Sequence, residues 1–332
     1  MKHVVIKTDW NNNMEYGMIR DLEDAIAFKT QAEVYSHPLI PLTKYIGHGT
    51  RYAILRKIFP KRKFVPKADV LWVPLIGPED FQLDLFNGWE NSAKIKILYL
   101  FDTFRQQFKV IKRIVKAYHW DLLITSYLDA VEPLVKITQQ KWHCIPQGVN
   151  INRFYPRHWG KEEFPPIFIF SYGRRIDSYH QEIKKWCLAH NRWYDYTVSA
   201  DTKLSVPTQD NYQNLANHLG SSLFSVSWPM ELTHPQRAGD FSVMTCRLFE
   251  IAASGAVIIG QPPKDLMFEQ LFGRDAVYPA PDKPEGVLSW LDELDSCALE
   301  LRQKALIRRS QYKEKWSWEN RVQAILDLID KL

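Results

Sequence analysis

MTCRLFEIAASGAVIIGQPP, residues 244–263, reads as a helix that runs through a small-residue turn into a buried strand. At about 100° per residue Met244, Leu248, Ile251 and Ala252 share an apolar stripe, and Arg247, Glu250 and Ser254 fall together on the flank beside it. The expectation is a helix that buries one side and presents a guanidinium, a carboxylate and a hydroxyl on the other. Gly255 stands where a left-handed helix cap is wanted. Ala256 to Ile259 has no polar alternation, the pattern of a strand covered on both faces in a parallel sheet. Ligand crevices of open parallel sheets lie off the carboxyl ends of the strands, which places Gly260 to Pro263 beside one.

Working outward, the same strand and helix alternation runs through the whole chain. On the amino-terminal side, Leu223 to Ser227 is a strand, and the loop PMELTHPQRAGDFS leads from it into the opening helix, hanging His234, Arg237 and Asp240 over the same crevice. Further back, Ile167 to Ser171 (IFIFS) ends in Tyr172-Gly173-Arg174-Arg175, with a helix from about Ser178. A glycine and two guanidiniums at a strand's carboxyl end, ahead of a helix, suit phosphate: backbone donors, a helix dipole and bidentate cations meet there. Tyr194 to Val198 and Ala276 to Tyr278 complete this half, and the tail from about Cys297 is helical. Between Pro146 and Pro166 proline, glycine and charge cluster, as in a linker.

The first half repeats the pattern. Val4 to Lys7 is a strand, followed by a polar loop with Asn11 to Asn13 and Tyr16 and by a helix from about Met18. That loop lacks the GxGxxG spacing of a dinucleotide site. Strands follow at Val70 to Val73, Ile97 to Phe101, Leu122 to Thr125 and His143 to Ile145. Asp102-Thr103 and Ser126 fall at strand carboxyl ends. The expected fold is α/β, with two Rossmann-like, doubly wound domains facing a cleft. The expected boundaries are 1–152 for the first domain, 153–312 for the second, and 313–332 for a helix packing back on the first; the resemblance described below implies that the first binds an acceptor and the second a nucleotide sugar.

Composition bounds the function. With 332 residues, 45% of them hydrophobic and 24% charged, the chain is an ordinary globular one. The net charge is only +5, but two segments concentrate it: Arg51 to Lys67 holds seven basic residues and no acid, and Arg105 to Trp120 is basic and amphipathic with no acid. Such patches point to an anionic partner surface, a membrane leaflet or a phosphorylated acceptor. No RNA-binding motif accompanies them, so no nucleic acid partner is expected. No apolar run approaches the roughly 20 residues of a membrane span, and MKHVVIKTDW begins a strand, so a cytoplasmic protein, peripheral on the inner membrane face, is expected. The four cysteines lack metal-ligand or CxxC spacing and read as reduced thiols. No DxD pair occurs, so no metal site is expected, and an anionic ligand would be met by cations and helix N-termini. Arg174, Arg175 and Arg247 are the clustered cations for that task. A general base from the first domain is Asp102, with His48 of GHGT behind it.

Several of these stretches resemble one family. IPQGVNINRFYP resembles the interdomain P-x-G-V-[DN]…F-x-P element, with Pro146, Gly148, Val149, Asn150, Phe154 and Pro156 as matches. FSYGRR is similar to the first donor-domain strand with its Gly-Arg, CRLFEIAASGAVIIGQPP to the R-x-F-E-A-x-A-x-G nucleotide-sugar segment, and WSWENRVQAIL to the closing [TS]-W-x-x-R helix. Together they resemble the GT-B glycosyltransferases of family 4 and the group 1 glycosyl transferases. The resemblance implies a transferase that moves a sugar from a nucleotide-diphosphate donor, with no further cofactor, to a glycan or lipid-linked glycan in polysaccharide or lipopolysaccharide synthesis. It also implies that Glu250 holds the ribose and that Arg174 and Arg175 neutralise the diphosphate, with Gly173, Arg247, Thr245, His234 and Tyr16 around the donor. Two family features are absent: the glutamate eight residues before Glu250 is Ser242 here, and no Lys-Gly pair follows the Gly-Arg. The donor sugar must then be gripped from elsewhere, first of all from the loop 231–240. A non-catalytic nucleotide- or carbohydrate-binding protein on the same scaffold is the alternative, separable by whether sugar nucleotides are hydrolysed without acceptor. An epimerase or phosphorylase is a third option, the latter needing a cofactor lysine site that the sequence does not offer.

Overall fold

The computed structural model describes residues 1–7, 17–36, 63–78, 83, 86–157, 167–197 and 211–332. The chain divides into two compact units, Met1–Pro146 with Trp318–Leu332, and Gln147–Ser317.

The first unit is built on strands β1 (His3–Ile6), β2 (Glu33–Tyr35), β3 (Ala68–Leu75), β4 (Ala93–Leu100), β5 (Leu122–Thr125) and β6 (Trp142–Cys144). They lie in the order β2-β1-β3-β4-β5-β6, every pair parallel. Its helices are α1 (Gly17–Thr30), α2 (Phe108–Ala117), α3 (Leu128–Thr138) and, from the far end of the chain, α9 (Trp318–Ile329). In α9 the apolar residues recur at Trp318, Val322, Ile325 and Ile329, one stripe of a 3.6-residue helix. That stripe packs with Ile19, Leu22 and Ile26 of α1 on Trp72, Ile97, Tyr99 and Phe101 of the sheet. Each fully buried side chain of this size contributes about 1.5–3 kcal/mol. The closing helix therefore belongs to the first core. In α2 the apolar side, Ile111, Ile114 and Val115, is buried, and Lys109, Lys112, Arg113 and Lys116 are exposed.

The second unit carries β7 (Ile167–Ser171), β8 (Tyr194–Tyr196), β9 (Ser222–Ser227), β10 (Val257–Gly260) and β11 (Val277–Pro279) in the order β8-β7-β9-β10-β11, again all parallel. Its helices are α4 (Asp177–Ala189), α5 (Asn211–Gly220), α6 (Cys246–Ala253), α7 (Val287–Ser296) and α8 (Ala298–Trp316), with short helical turns at Met230–Thr233, Pro235–Ala238 and Phe268–Phe272. Both sheets reverse direction beside their first strand, between β1 and β3 and between β7 and β9. Such switch points are where open α/β sheets bind ligands, beyond the carboxyl ends of the strands.

Two expectations are corrected here. The units meet at 146/147 and 317/318, because residues 147–152 and 313–317 pack with the second core. Val149 N–H donates to the Trp316 carbonyl at 2.9 Å, and the Phe154 ring meets Tyr212 edge-on at 5.1 Å. Trp316 is buried in the second unit, its indole N–H on the Leu271 carbonyl at 2.7 Å, whereas Trp318, two residues later, lies 5.7 Å from Phe101 in the first. Ser317 between them is extended and ends α8. The second correction concerns α6. Arg247 to Ala253 are all buried, so its polar flank faces protein interior, not solvent. Gly255 does adopt the left-handed cap, with φ of 70°.

Candidate donor site

The site in the second unit is assembled from the carboxyl ends of β7 and β9 and the start of α6. After β7 the chain turns at Gly173, whose φ of 70° is a conformation L side chains avoid, and its N–H donates to Thr197 Oγ1 at 3.0 Å. The turn makes room for Arg247: a Cβ on Gly173 would overlap Nη2 of that guanidinium. Arg247 also lies over the Tyr172 ring, 4.9 Å from its centroid. It is only 8% exposed, and its Nε and Nη1 are buried without a hydrogen-bond partner.

Glu250, one turn further along α6, is 2% exposed. Tyr172 donates its hydroxyl to Oε2, and Tyr212 of α5 donates to Oε1 at 2.7 Å. Burial raises the Glu250 carboxyl above its ordinary value, and the two tyrosines and Arg247 oppose that. Burial, then the Glu250 charge, pushes the Tyr172 phenol well up in turn, so it stays an O–H donor. The carboxylate thus fixes the tyrosine under the Arg247 guanidinium and is the nearby countercharge of that cation.

Around this pair gather further cations. Arg175 stands 5.4 Å from the Tyr196 ring centroid, and its Nη1 is buried with no partner. His234, on the loop after β9, is held below the usual histidine range first by burial and then by Arg174, Arg237 and Arg247. The charges that shift it are all positive, surroundings that favour an anion. Thr245 is the N-cap residue of α6, its side chain making no capping bond. On the same loop Ser242 donates to Glu231 Oε1 at 2.6 Å and accepts from the Lys264 N–H at 2.7 Å.

The sequence-predicted residues Gly173, Arg174, Arg247, Glu250 and His234 therefore come together, with Arg175 on the Tyr196 side of the turn. Asp102 belongs to the first unit, half-buried, and takes the Tyr127 hydroxyl at 2.7 Å. Tyr16, His48 and most of Arg51 to Lys67 lie outside the described residues. Among the described residues, no group of three His, Cys, Asp or Glu side chains could hold a metal ion, and no helix is long and apolar enough to cross a membrane. Two surface depressions of about 430 Å³ open near the amino-terminal ends of the sheets, but cations there are already paired, Lys94 with Asp69 and Arg192 with Asp295, both at 2.8 Å. Arg247 and Arg175, at the carboxyl-terminal end of the second sheet, carry buried guanidinium nitrogens without a partner.

Residues 175–327 match the family model described as glycosyl transferase-like. The full chain is similar in structure to sucrose-phosphate synthase from Thermosynechococcus elongatus, over 100% of this chain and 99% of that one, at 12% identity and a TM-score of 0.57. HepE of Anabaena, solved in complex with UDP-glucose, is similar over 100% of both chains at 8% identity and a TM-score of 0.57. A glycosyltransferase of Rickettsia africae covers 99% and 98% at 14% identity and 0.56. No curated protein matches the sequence. The chain has the GT-B fold. Within the second unit the residues to which the sequence reading assigned no part in the site are Tyr172 and Tyr212, whereas Glu231 lies in the loop 231–240 to which it pointed. Tyr212 lies 38 positions from its partner Glu250, and only the fold joins them. Tyr172 was adjacent to the Gly-Arg signal, yet nothing in its spacing marked it.

Proposed function

We propose that the chain is a glycosyltransferase that moves a sugar from a nucleotide-diphosphate sugar to a glycan or lipid-linked glycan acceptor, without a metal. The observation that carries it is Arg247, buried against Gly173 at the sheet's switch point with two donor nitrogens unpaired. Buried donor nitrogens without acceptors are costly, and a diphosphate supplies oxygens that accept from them. In the reaction the bond from the anomeric carbon to the diphosphate oxygen breaks and the acceptor hydroxyl forms the new one. Negative charge grows on the departing diphosphate, where Arg174, Arg175 and Arg247 stabilise it more than in the ground state. Asp102 of the first unit is the proposed acceptor-side base.

The test is a panel of UDP-, GDP- and ADP-sugars, followed for binding by thermal shift and for slow hydrolysis without acceptor. Stabilisation by at least one of them, with release of its sugar, is expected. Stabilisation with no release over long incubation would instead favour a binding module, and no response to any would remove the donor reading.

For the acceptor side, the exposed Lys109, Lys112, Arg113 and Lys116 of α2 form a cationic face whose apolar counterpart is already spent in the core. Attraction to an anionic leaflet would therefore be electrostatic, about 1 kcal/mol per Lys or Arg near the surface. Flotation with anionic vesicles at low salt is expected, abolished by high salt or by K109E/K112E/K116E. Flotation that survives both would contradict this face.

A further inference from the structure

Glu231 lies in the helical turn Met230–Thr233 near the start of the segment that follows β9 and is half-buried. Its carboxylate is divided in two. Oε1 takes the Ser242 hydroxyl, whose oxygen is itself fixed by the Lys264 N–H, so three chain segments hold this oxygen in place. Oε2 is shielded from solvent and takes no hydrogen bond at all. A buried carboxylate oxygen without a donor is costly, more so than a neutral group. No lysine or arginine forms an ion pair with Glu231 among the described residues, so the charge is not there to balance a neighbour.

The same segment reaches the cation cluster three residues later. His234 N–H donates to the Met230 carbonyl at 2.7 Å, and its ring lies in the field of Arg174, Arg237 and Arg247. One segment therefore carries an orphaned carboxylate oxygen near its start and approaches the orphaned guanidinium donors at its turn. A ligand meeting both would have an anionic end and, beside it, a neutral group rich in O–H donors.

We infer that Glu231, positioned by Ser242 and Lys264, accepts a hydroxyl of the transferred sugar and so decides which sugar the donor site takes. This rests on the proposed nucleotide-diphosphate reading of the cation cluster. Gln at 231 keeps size and the Ser242 contact but replaces part of the acceptor by an amide donor. An acceptor site for O–H loses such a ligand because polar groups on both sides go unpaired.

The experiment is calorimetry of the full chain and its E231Q and S242A variants with UDP-glucose, UDP-N-acetylglucosamine, GDP-mannose and ADP-glucose, each against its free diphosphate, UDP, GDP or ADP. For the wild type, one sugar nucleotide is expected to bind about tenfold tighter than its free diphosphate. E231Q is expected to erase that difference while keeping the affinity for the free diphosphate, and S242A to reduce it. An E231Q variant that keeps the tenfold difference overturns the role of Glu231 and leaves the cation cluster standing. A wild type that prefers no sugar nucleotide over its diphosphate overturns it too. A wild type that binds neither overturns the nucleotide-diphosphate reading and this inference with it. Melting curves of both variants near the wild-type value keep a folding defect apart from these outcomes.

Discussion

Arg247→Met is expected to weaken binding of the donor nucleotide by at least about 100-fold while leaving the protein as stable as before. Hydrogen bonds to a charged group contribute about 1.5–3 kcal/mol each, and two donors of this guanidinium have no partner within the protein. Losing both such bonds is about two orders of magnitude even at the lower figure, since about 1.4 kcal/mol is tenfold. Stability moves by a different balance. The buried cation costs desolvation energy that nothing in the chain repays at Nε and Nη1, and an unbranched methionine fills much of the same space. Against that gain, Glu250 loses its nearby cation but keeps the hydroxyls of Tyr172 and Tyr212. R247M alone should therefore melt within a few degrees of the wild type. R247M/E250Q, which removes both charges, should melt higher, because replacing a buried charge pair by neutral groups is often worth about 1–4 kcal/mol. Calorimetry with the tightest nucleotide of the panel and parallel melting curves give the two readouts. A large loss of melting temperature with unchanged nucleotide affinity would make Arg247 a structural residue only.

Arg247 also shows what periodicity can and cannot say. Its place beside Glu250 on α6 follows from 100° per residue, and the helix, the Gly255 cap and β10 stand where the apolar run and the small residues put them. Periodicity separates an apolar stripe from a polar flank, but it is silent on what covers the flank. Here the cover is two tyrosines, one from the end of β7 and one from α5, and neither spacing nor composition ties them to Glu250. The same limit holds for α2, whose basic face is legible while the fate of its apolar face depends on the sheet beneath it. The unit boundary at Ser317 is hidden for a related reason. Trp316 and Trp318 are equally apolar, and only the two separate cores distinguish them. Strand β2 carries Glu33 and Val34 exposed at the sheet edge, so no buried alternation announces it. The Gly173-Arg174-Arg175 turn was legible because a strand ending in glycine and cations is a local pattern, whereas Glu231 needed the fold to bring Ser242 and Lys264 to it.

Gly173→Ala is expected to reproduce most of the Arg247 defect through space alone. Two effects act at once. The backbone at φ 70° disfavours any Cβ by about 1–2 kcal/mol, which lowers stability whatever the surroundings. The new methyl group also occupies the position of Nη2, and Cζ lies only 3.4 Å from it, so the guanidinium must leave its place over Tyr172. A displaced Arg247 no longer presents its free donors at the switch point, and nucleotide affinity should fall by more than about tenfold although no charge has been removed. The double variant separates the two effects. Once Arg247 is truncated to alanine, the added methyl has nothing to strike, so G173A/R247A should bind nucleotide no more weakly than R247A. Its stability should recover part of the G173A loss, leaving the backbone strain. Contacting residues show coupling of about 0.5–3 kcal/mol in such cycles, whereas independent ones add. Simple additivity in affinity would mean that the turn and the guanidinium act on the ligand separately, and that Gly173 does more than clear the space Arg247 fills.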